Sequence, residues 1–268
     1  MEAQAAAAQV IAPAPLLPAG EAMAMLARRG FRPEVGRPDL PFARDLDGEA
    51  AERLGELLGH YSFRLFLRGA IQRRGDFAPG EATRYLTAAQ EKALAGALVE
   101  LGILVRTPRD RYRFVRRAMS FGPTLEWYVA RELRRRLGCD VATGVKFRAP
   151  GLGGDLDVVA AMEGKLIYLE LKSSPPKHLT QGEVAAFFAR VRRLRPDVAV
   201  FGMDTALRLA DRVLPLLASA LAPAPRRIEK DLWALTPHLY AVSAKSDLVA
   251  NVCRVVAEGM LALGPPPQ

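Results

Sequence analysis

The sequence feature that most constrains the fold is the stretch from Gly154 to Ser174, "GDLDVVAAMEGKLIYLELKSS". Two apolar runs flank the pair Glu163–Gly164, which is a natural two-residue hairpin turn because glycine accepts a positive φ. The spacing predicts two antiparallel strands in which Met162 faces Lys165. The numbers of facing residues then sum to 327 along the hairpin.

Charged residues stand where a buried sheet would favour Val or Ile. Side chains on a strand alternate between faces, and one face of the second strand carries Leu166, Tyr168, Glu170 and Lys172. The other face is wholly apolar and is predicted to be core: Ile167, Leu169 and Leu171. The register places Asp157 opposite Glu170 and Asp155 opposite Lys172. Since like charges directly opposite each other destabilise a sheet, the two facing carboxylates need a compensating cause.

A divalent cation is the simplest such cause. Mg²⁺ is held by a few carboxylates and keeps several waters, and Lys172 on the same face could orient a metal-bound water or stabilise developing negative charge. Glu126 is a third candidate, because it is the sole charge on a helical stripe that continues through Val129, Ala130, Leu133 and Leu137. An acid in the first turn of a helix also favours the helix N-terminus, so both roles remain open for Glu126.

"GDLDVV" followed by "YLELK" resembles the signature of the PD-(D/E)XK nuclease superfamily, which includes restriction-endonuclease-like and Holliday-junction-resolvase-like proteins. The resemblance implies a mixed central sheet flanked by helices and hydrolysis of DNA phosphodiester bonds. It also implies that Asp157 and Glu170 bind Mg²⁺, with Mn²⁺ as a substitute, and that Lys172 assists the attacking water. Glu126 matches the acid that many members place on the preceding helix.

Other readings of the same residues stay open. The choice between Asp155 and Asp157 is not forced, and Leu156 stands where the motif's name has Pro. Asp155 and Gln181, at the start of the helix after the hairpin, are assigned to the periphery of the site. A surface hairpin with an Asp155–Lys172 ion pair is one alternative. A catalytically inactive DNA-binding or protein-interaction protein on the same fold is another.

The segment before the predicted nuclease domain resembles a winged helix-turn-helix domain over Tyr61 to Val115. Helices are predicted over "YSFRLFLRGAIQRR", over the short segment "EATRYL" at 81–86, and from Thr87, where Gln90 three residues later predicts a capping box. "ILVRTPRDRYRFV" then predicts a hairpin, the wing. The resemblance implies that arginines of the wing contact DNA phosphates: Arg106, Arg109, Arg111 and Arg113. Arg134, on the next helix, is a further candidate for such a contact. Glu91 and Glu100 on the predicted recognition helix suit DNA poorly, so the alternative is a domain that docks a protein or packs on the next domain.

Three regions follow from these patterns: an Ala/Pro-rich tail and irregular helical lead-in over 1–57, the winged-helix-like domain over 58–117, and the nuclease domain over 118–268. Basic residues outnumber acidic ones by 12 to 5 over residues 61–117 within a net charge of +9, as expected for a surface that meets a polyanion. The partner is therefore predicted to be DNA, duplex or branched, with a homodimer as a further option. No apolar run reaches the roughly 18 residues that a membrane span needs, and the two distant cysteines predict a cytoplasmic protein.

Overall fold

The computed structural model describes residues 17–147, 154–221 and 224–263 and shows a mixed α/β fold with one large sheet. In spatial order its eight strands are β1 (Pro33–Val35), β4 (Asp140–Phe147), β5 (Leu156–Met162), β6 (Lys165–Lys172), β7 (Val198–Met203), β10 (Leu239–Ser243), β9 (Leu232–Thr236) and β8 (Arg226–Glu229). Strands β6, β7 and β10 are parallel and the other neighbours are antiparallel. The predicted fold class, a mixed sheet flanked by helices, is confirmed.

The β5–β6 hairpin has the predicted register. Met162 pairs with Lys165, and the pairing continues to Val158 opposite Leu169. Glu163 and Gly164 at the turn have φ values of 51° and 71°, and two central residues with positive φ are the mark of the tightest hairpin turns.

Helices cover both faces of the sheet. One face is covered by α5 (Gly122–Leu137) and α8 (Leu248–Ala262), the other by α1 (Glu21–Arg28), α6 (Gln181–Leu194) and α7 (Val213–Ala218). Ile167 and Leu169 are buried on the first face as predicted, and Leu166 and Tyr168 are fully buried on the second. The alternative of a surface hairpin with a solvated outer face is therefore wrong.

A mainly helical unit stands between β1 and α5. It consists of α2 (Gly48–Gly59), α3 (Tyr61–Gln72), α4 (Ala88–Glu100) and a hairpin of β2 (Leu104–Thr107) and β3 (Arg111–Phe114). The capping box of Thr87 and Gln90 is present. Two of the three helices expected over Tyr61 to Val115 are formed, as α3 and α4, and the expected hairpin follows them. The winged-helix assignment and its boundaries at 58 and 117 stay predictions.

Glu91 corrects two expectations about this unit. Its carboxylate is buried and accepts hydrogen bonds from the backbone N–H groups of Gly80, Ala82 and Thr83 at 2.7–3.1 Å. A short helix expected through residues 81–86 is not formed, because this carboxylate holds the segment in turns. Glu91 also does not face solvent, so it is no obstacle to a polyanion at α4.

A buried ion pair attaches the helical unit to the sheet. Arg64 and Arg68 of α3 donate to the two carboxylate oxygens of Asp204 at 2.9 and 2.7 Å, and Asp204 is 1% exposed. The backbone N–H of Asp204, just beyond β7, donates to the carbonyl of Lys172 at 2.8 Å. The helical unit is thus held at the end of the strand that carries the predicted lysine.

Several parts of the chain differ from the sequence-based expectation. The lead-in contributes α1 and β1 to the sheet region, and the C-terminal part adds β8 and β9 besides β10 and α8. After β7 the segment "TALRLADRVLPLLASALA" has a helical pattern from Thr205, but its helix begins only at Val213. Residues 1–16 of the predicted tail lie outside the described residues. None of the described helices has the length and apolarity to span a bilayer.

Candidate active site at the end of strand β6

Asp157 and Glu170 meet where β5 begins and β6 ends. The last pair of the β5–β6 ladder is Val158 with Leu169. Continued by one residue, the same register places Asp157 opposite Glu170. There the side chain of Asp157 turns to β6, and its Oδ2 accepts a hydrogen bond from the backbone N–H of Leu171 at 2.7 Å. This bond fixes one oxygen of the carboxylate beside Glu170.

Glu170 is the most enclosed acid of the site, with 2% of its surface exposed. Its Oε1 lies 2.9 Å from Lys172 Nζ, and its Oε2 lies 2.8 Å from Arg190 Nη1 and accepts a hydrogen bond from the Tyr168 hydroxyl. A buried carboxylate without partners costs several kcal/mol, on the order of the penalty for any desolvated ion. Two cations and a hydroxyl therefore engage both carboxylate oxygens of Glu170 in the interior.

Glu126 reaches the same place from the first turns of α5. Burial raises its pKa to about 8, and the negative charges of Asp157, Asp155 and Glu170 add to the effect. Burial, followed by the charge of Glu170, likewise raises the pKa of Asp157 to about 7. Glu126, Asp157 and Glu170 are here called the carboxylate cluster; burial, together with repulsion between their charges, favours the protonated forms of Glu126 and Asp157.

Lys172 is a cation in this site. Burial alone would lower its pKa, but the adjacent carboxylate of Glu170 outweighs burial and raises it. Its Nζ also lies 3.5 Å from Glu183, an acid in the first turn of α6. Lys172 can therefore donate hydrogen bonds and stabilise negative charge, and it is not poised to accept a proton near neutral pH.

Sequence reasoning missed Arg190 and Glu183. Arg190 is 9% exposed and shares a buried face of α6 with Phe187 and Leu194. A lone charge on an apolar stripe is the signal that singled out Glu126, and it could have singled out Arg190 as well. Glu183 was recognised only as the capping-box partner of Thr180, a role that it does fulfil.

Of the two residues predicted at the periphery of the site, Asp155 lies near the carboxylates and Gln181 binds elsewhere. Asp155 precedes β5 and is exposed, and Lys172 binds Glu170 and Glu183 rather than Asp155. Gln181 is exposed, and its side-chain amide donates to the Ser219 hydroxyl at 3.1 Å, away from the carboxylate cluster. Asp155 therefore acts on the site through its charge, and Gln181 supports the contact between α6 and α7.

Gly154 is the last residue of "GLGG" at 151–154 and gives room for a neighbouring side chain; residues 151–153 lie outside the described residues. Its φ is 82°, and a Cβ atom at this position would lie 2.7 Å from Arg190 Nη2. Only glycine combines this backbone conformation with the space that the guanidinium of Arg190 occupies.

The carboxylate cluster has the chemistry to bind a hard divalent cation. As the side chains are placed, however, the three carboxylates do not point to one common position. Carboxylate oxygens are the ligands that Mg²⁺ prefers, and the raised pKa values of Glu126 and Asp157 record burial first and then a mutual repulsion that a cation would relieve. Within the described parts of the chain, no three His, Cys, Asp or Glu side chains stand close enough together to form a metal site as they are placed.

The arginines predicted to bind nucleic acid are largely compensated by the chain itself. Arg111 binds Glu81 at 3.0 Å, Arg113 lies 3.9 Å from Asp76, and Arg106 lies 4.0 Å from Asp110. Arg134 donates to the backbone carbonyl of Val141, and burial lowers its pKa. Arg109, at the exposed turn of the hairpin with φ of 63°, makes no such contact among the described residues.

No protein-family model matches this chain, and no curated protein matches its sequence. Among solved structures, protein VC1899 from Vibrio cholerae is similar with a TM-score of 0.53 and 17% identity, over 90% of this chain and 62% of that chain. Can2 from Sulfobacillus thermosulfidooxidans, solved in complex with cyclic tetra-adenylate, gives a TM-score of 0.45 and 15% identity, over 88% of this chain and 59% of that chain. This chain thus spans about three fifths of the length of either protein. The likeness to VC1899 is one of fold alone, and the likeness to Can2 is too loose to carry an argument.

Proposed function

We propose that this protein is a metal-dependent nuclease that hydrolyses DNA phosphodiester bonds, of the restriction-endonuclease-like PD-(D/E)XK type. The observation that carries the proposal is the buried carboxylate of Glu170, 2.9 Å from Lys172 at the end of β6 and beside Asp157. The order of α5, the β5–β6 hairpin, α6 and β7 agrees with the arrangement that the sequence resemblance implies.

Asp157 and Glu170 would hold Mg²⁺ or Mn²⁺, with Glu126 as a further ligand once it has lost its proton. A bound divalent cation lowers the pKa of a coordinated water and polarises the phosphate. Lys172, being protonated, would donate a hydrogen bond to a phosphate oxygen and stabilise the charge that develops there. Arg190 and the Tyr168 hydroxyl fix the orientation of Glu170 through its Oε2.

The placement of the two aspartates favours Asp157 over Asp155 as the ligand. Asp157 is partly buried and held by the N–H of Leu171, so one of its oxygens is fixed in position. Asp155 is exposed and makes no hydrogen bond within the described part of the chain. A carboxylate that is already oriented loses less entropy when it binds a cation.

A second candidate function is binding of DNA without cleavage. It is favoured by the complete pairing of Glu170, since both of its oxygens are engaged by Lys172, Arg190 and Tyr168. In such a protein the ion pairs would hold the fold together, and removal of Asp157 would leave DNA affinity unchanged.

Cleavage of supercoiled plasmid, branched DNA and single-stranded oligonucleotides with Mg²⁺, Mn²⁺ or EDTA tests the proposal. We expect metal-dependent cutting by the wild type and a loss of roughly 10²–10³-fold for Glu170→Gln and for Lys172→Met, the scale for removal of one group that stabilises transition-state charge. Glu163→Gln, at the exposed hairpin turn, is the matched control. Cutting that survives both site substitutions would refute the assigned roles, and tight binding without cutting would favour the second candidate.

A further inference from the structure

Beside the carboxylate cluster, the loops that follow β6, β7 and β10 form a concave and strongly basic surface. Two adjoining pockets of about 460 and 660 Å³ share Arg208 and Lys245 in their walls. Together they make a groove, here called the basic groove, whose cationic residues are Lys177, Arg208, Arg212, Arg227, Lys230 and Lys245. Among the described residues, two acids also line it, Asp211 and Asp231.

Most of these cations have no counter-charge in the protein. Within residues 17–147, 154–221 and 224–263, no carboxylate lies within 4.0 Å of the side chains of five of them: Lys177, Arg208, Arg212, Arg227 and Lys230. Lys245 lies 3.7 Å from Asp231. The hairpin arginines Arg111 and Arg113, by contrast, have acidic neighbours. The basic groove is therefore the better surface for releasing counterions from a polyanion.

An aromatic side chain distinguishes the groove from a plain patch of charge. Trp233 lines the pocket of about 460 Å³, and the guanidinium of Arg227 stands over its ring, 6.0 Å from the centroid. Nucleobases stack on Trp rings and on Arg planes, and each stacked base contributes about 1–3 kcal/mol. A base can enter a pocket only when it is unpaired, so this wall favours a single strand over a duplex.

The groove and the candidate active site share one edge of the sheet. Lys177 follows Lys172 by five residues, so their Cα atoms are at most about 18 Å apart. The N–H of Asp204 binds the Lys172 carbonyl at 2.8 Å and the N–H of Ala244 binds the Thr205 carbonyl at 2.9 Å, which ties the three loops together. At about 3.4 Å per nucleotide, a strand in the groove would pass the carboxylate cluster within roughly five nucleotides.

We propose that the basic groove binds single-stranded DNA, with an unpaired base against Trp233 and Arg227 and with phosphates on Arg208, Lys230 and Lys245. The binding follows from the groove itself. The further consequence, that the bound strand is presented for cleavage, rests on the proposed nuclease function. The substrate class would then be DNA with a single-stranded segment, such as a flap, a gap or an unwound end.

The affinity of the full-length protein for a fluorescein-labelled single-stranded DNA 15-mer, measured by anisotropy in EDTA, tests the binding without any cleavage. Arg208→Gln/Lys230→Gln removes two exposed, uncompensated charges of the groove and should weaken binding at least tenfold. The slope of log K against log salt should become shallower by about 1.4, or 0.7 for each lost phosphate contact on a single strand. Lys165→Gln/Arg192→Gln removes the same charge at the opposite end of the sheet and should change neither quantity.

The aromatic contact has its own readout. The chain has two tryptophans, and Trp127 packs against Phe42, so the Trp127→Phe protein reports on Trp233 alone. Its fluorescence should be quenched by single-stranded DNA and much less by a duplex of equal length. Trp233→Leu should lose at least fivefold in affinity while Trp233→Phe keeps most of it, and thermal unfolding of both variants shows whether they are folded.

Equal affinity for single strand and duplex, or unchanged binding by Trp233→Leu, would overturn the proposal in favour of a non-specific polyanion surface. Preference for RNA of the same sequence would overturn the assignment to DNA. Normal binding at the groove by a protein that cleaves nothing would refute the nuclease function and leave the groove standing. Metal-dependent cleavage by a protein whose groove variants bind DNA as tightly as the wild type would refute the groove and leave the nuclease function standing.

Discussion

Replacement of Glu126 by glutamine should stabilise the protein at high pH and have a smaller effect at low pH. A carboxyl group whose pKa is raised on folding stabilises the fold fully below its unfolded pKa, and this contribution is lost as the pH rises through the folded pKa. For Glu126 the window runs from 4.5 to about 8. Glutamine carries no titrating proton, so the variant does not lose this part of its free energy of unfolding as the pH rises.

The size of the effect follows from this window. A change from 4.5 to about 8 corresponds to a ceiling of about 5 kcal/mol at 1.36 kcal/mol per tenfold change in proton affinity. About 3 kcal/mol of it falls between about pH 5.5 and pH 8.5. With roughly 2–4 °C of melting temperature per kcal/mol for a chain of this size, the advantage of Glu126→Gln should grow by up to about 6–12 °C over that range.

Circular dichroism melts at both pH values in EDTA provide the measurement, with Glu163→Gln as the exposed control. Mg²⁺ added at pH 8.5 should raise the melting temperature of the wild type more than it does at pH 5.5, since a protonated carboxyl group does not bind it. A difference between Glu126→Gln and wild type that is independent of pH would refute the raised pKa of Glu126, and with it the burial of this carboxyl group beside the other acids.

Two further predictions test how the site is built. Asp204→Asn leaves the buried Arg64 and Arg68 without their carboxylate and should cost about 3–5 kcal/mol in urea denaturation, whereas Glu100→Gln, which breaks an exposed pair with Arg53, should barely move the midpoint; equal effects would contradict the buried anchor. Gly154→Ala and Gly164→Ala both place alanine at positive φ, but only at Gly154 would the added Cβ meet Arg190, 2.7 Å from its Nη2. Cleavage should therefore fall much further in Gly154→Ala, and a comparable loss in both would show that backbone strain alone is responsible.

The hairpin at the centre of the site could be predicted from the sequence because its determinants are local. The turn at Glu163–Gly164 fixes the register, and the register fixes which side chains face each other. The apolar residues on both sides of Glu170 fix its burial. The pairing of Asp157 with Glu170 and the common face of Tyr168, Glu170 and Lys172 needed no information from distant parts of the chain.

The features that could not be predicted from the sequence depend on contacts between residues far apart in the chain. Arg190 meets Glu170 across 20 positions, and Arg64 meets Asp204 across 140. Glu91 looked like an exposed helix residue because its partners are backbone N–H groups of an irregular loop. The short strand β1 has too few residues to show a period of two, and it exists because β4 offers an edge for it to pair with.

The most direct test of the central claim is a titration of the protein with Mn²⁺ followed by electron paramagnetic resonance, with and without a single-stranded DNA oligonucleotide. We expect a bound Mn²⁺ that Asp157→Asn and Glu170→Gln lose and that Glu163→Gln retains. Absence of bound Mn²⁺ in the wild type under both conditions, or binding that survives both site substitutions, would contradict the assignment of the carboxylate cluster as a cation site.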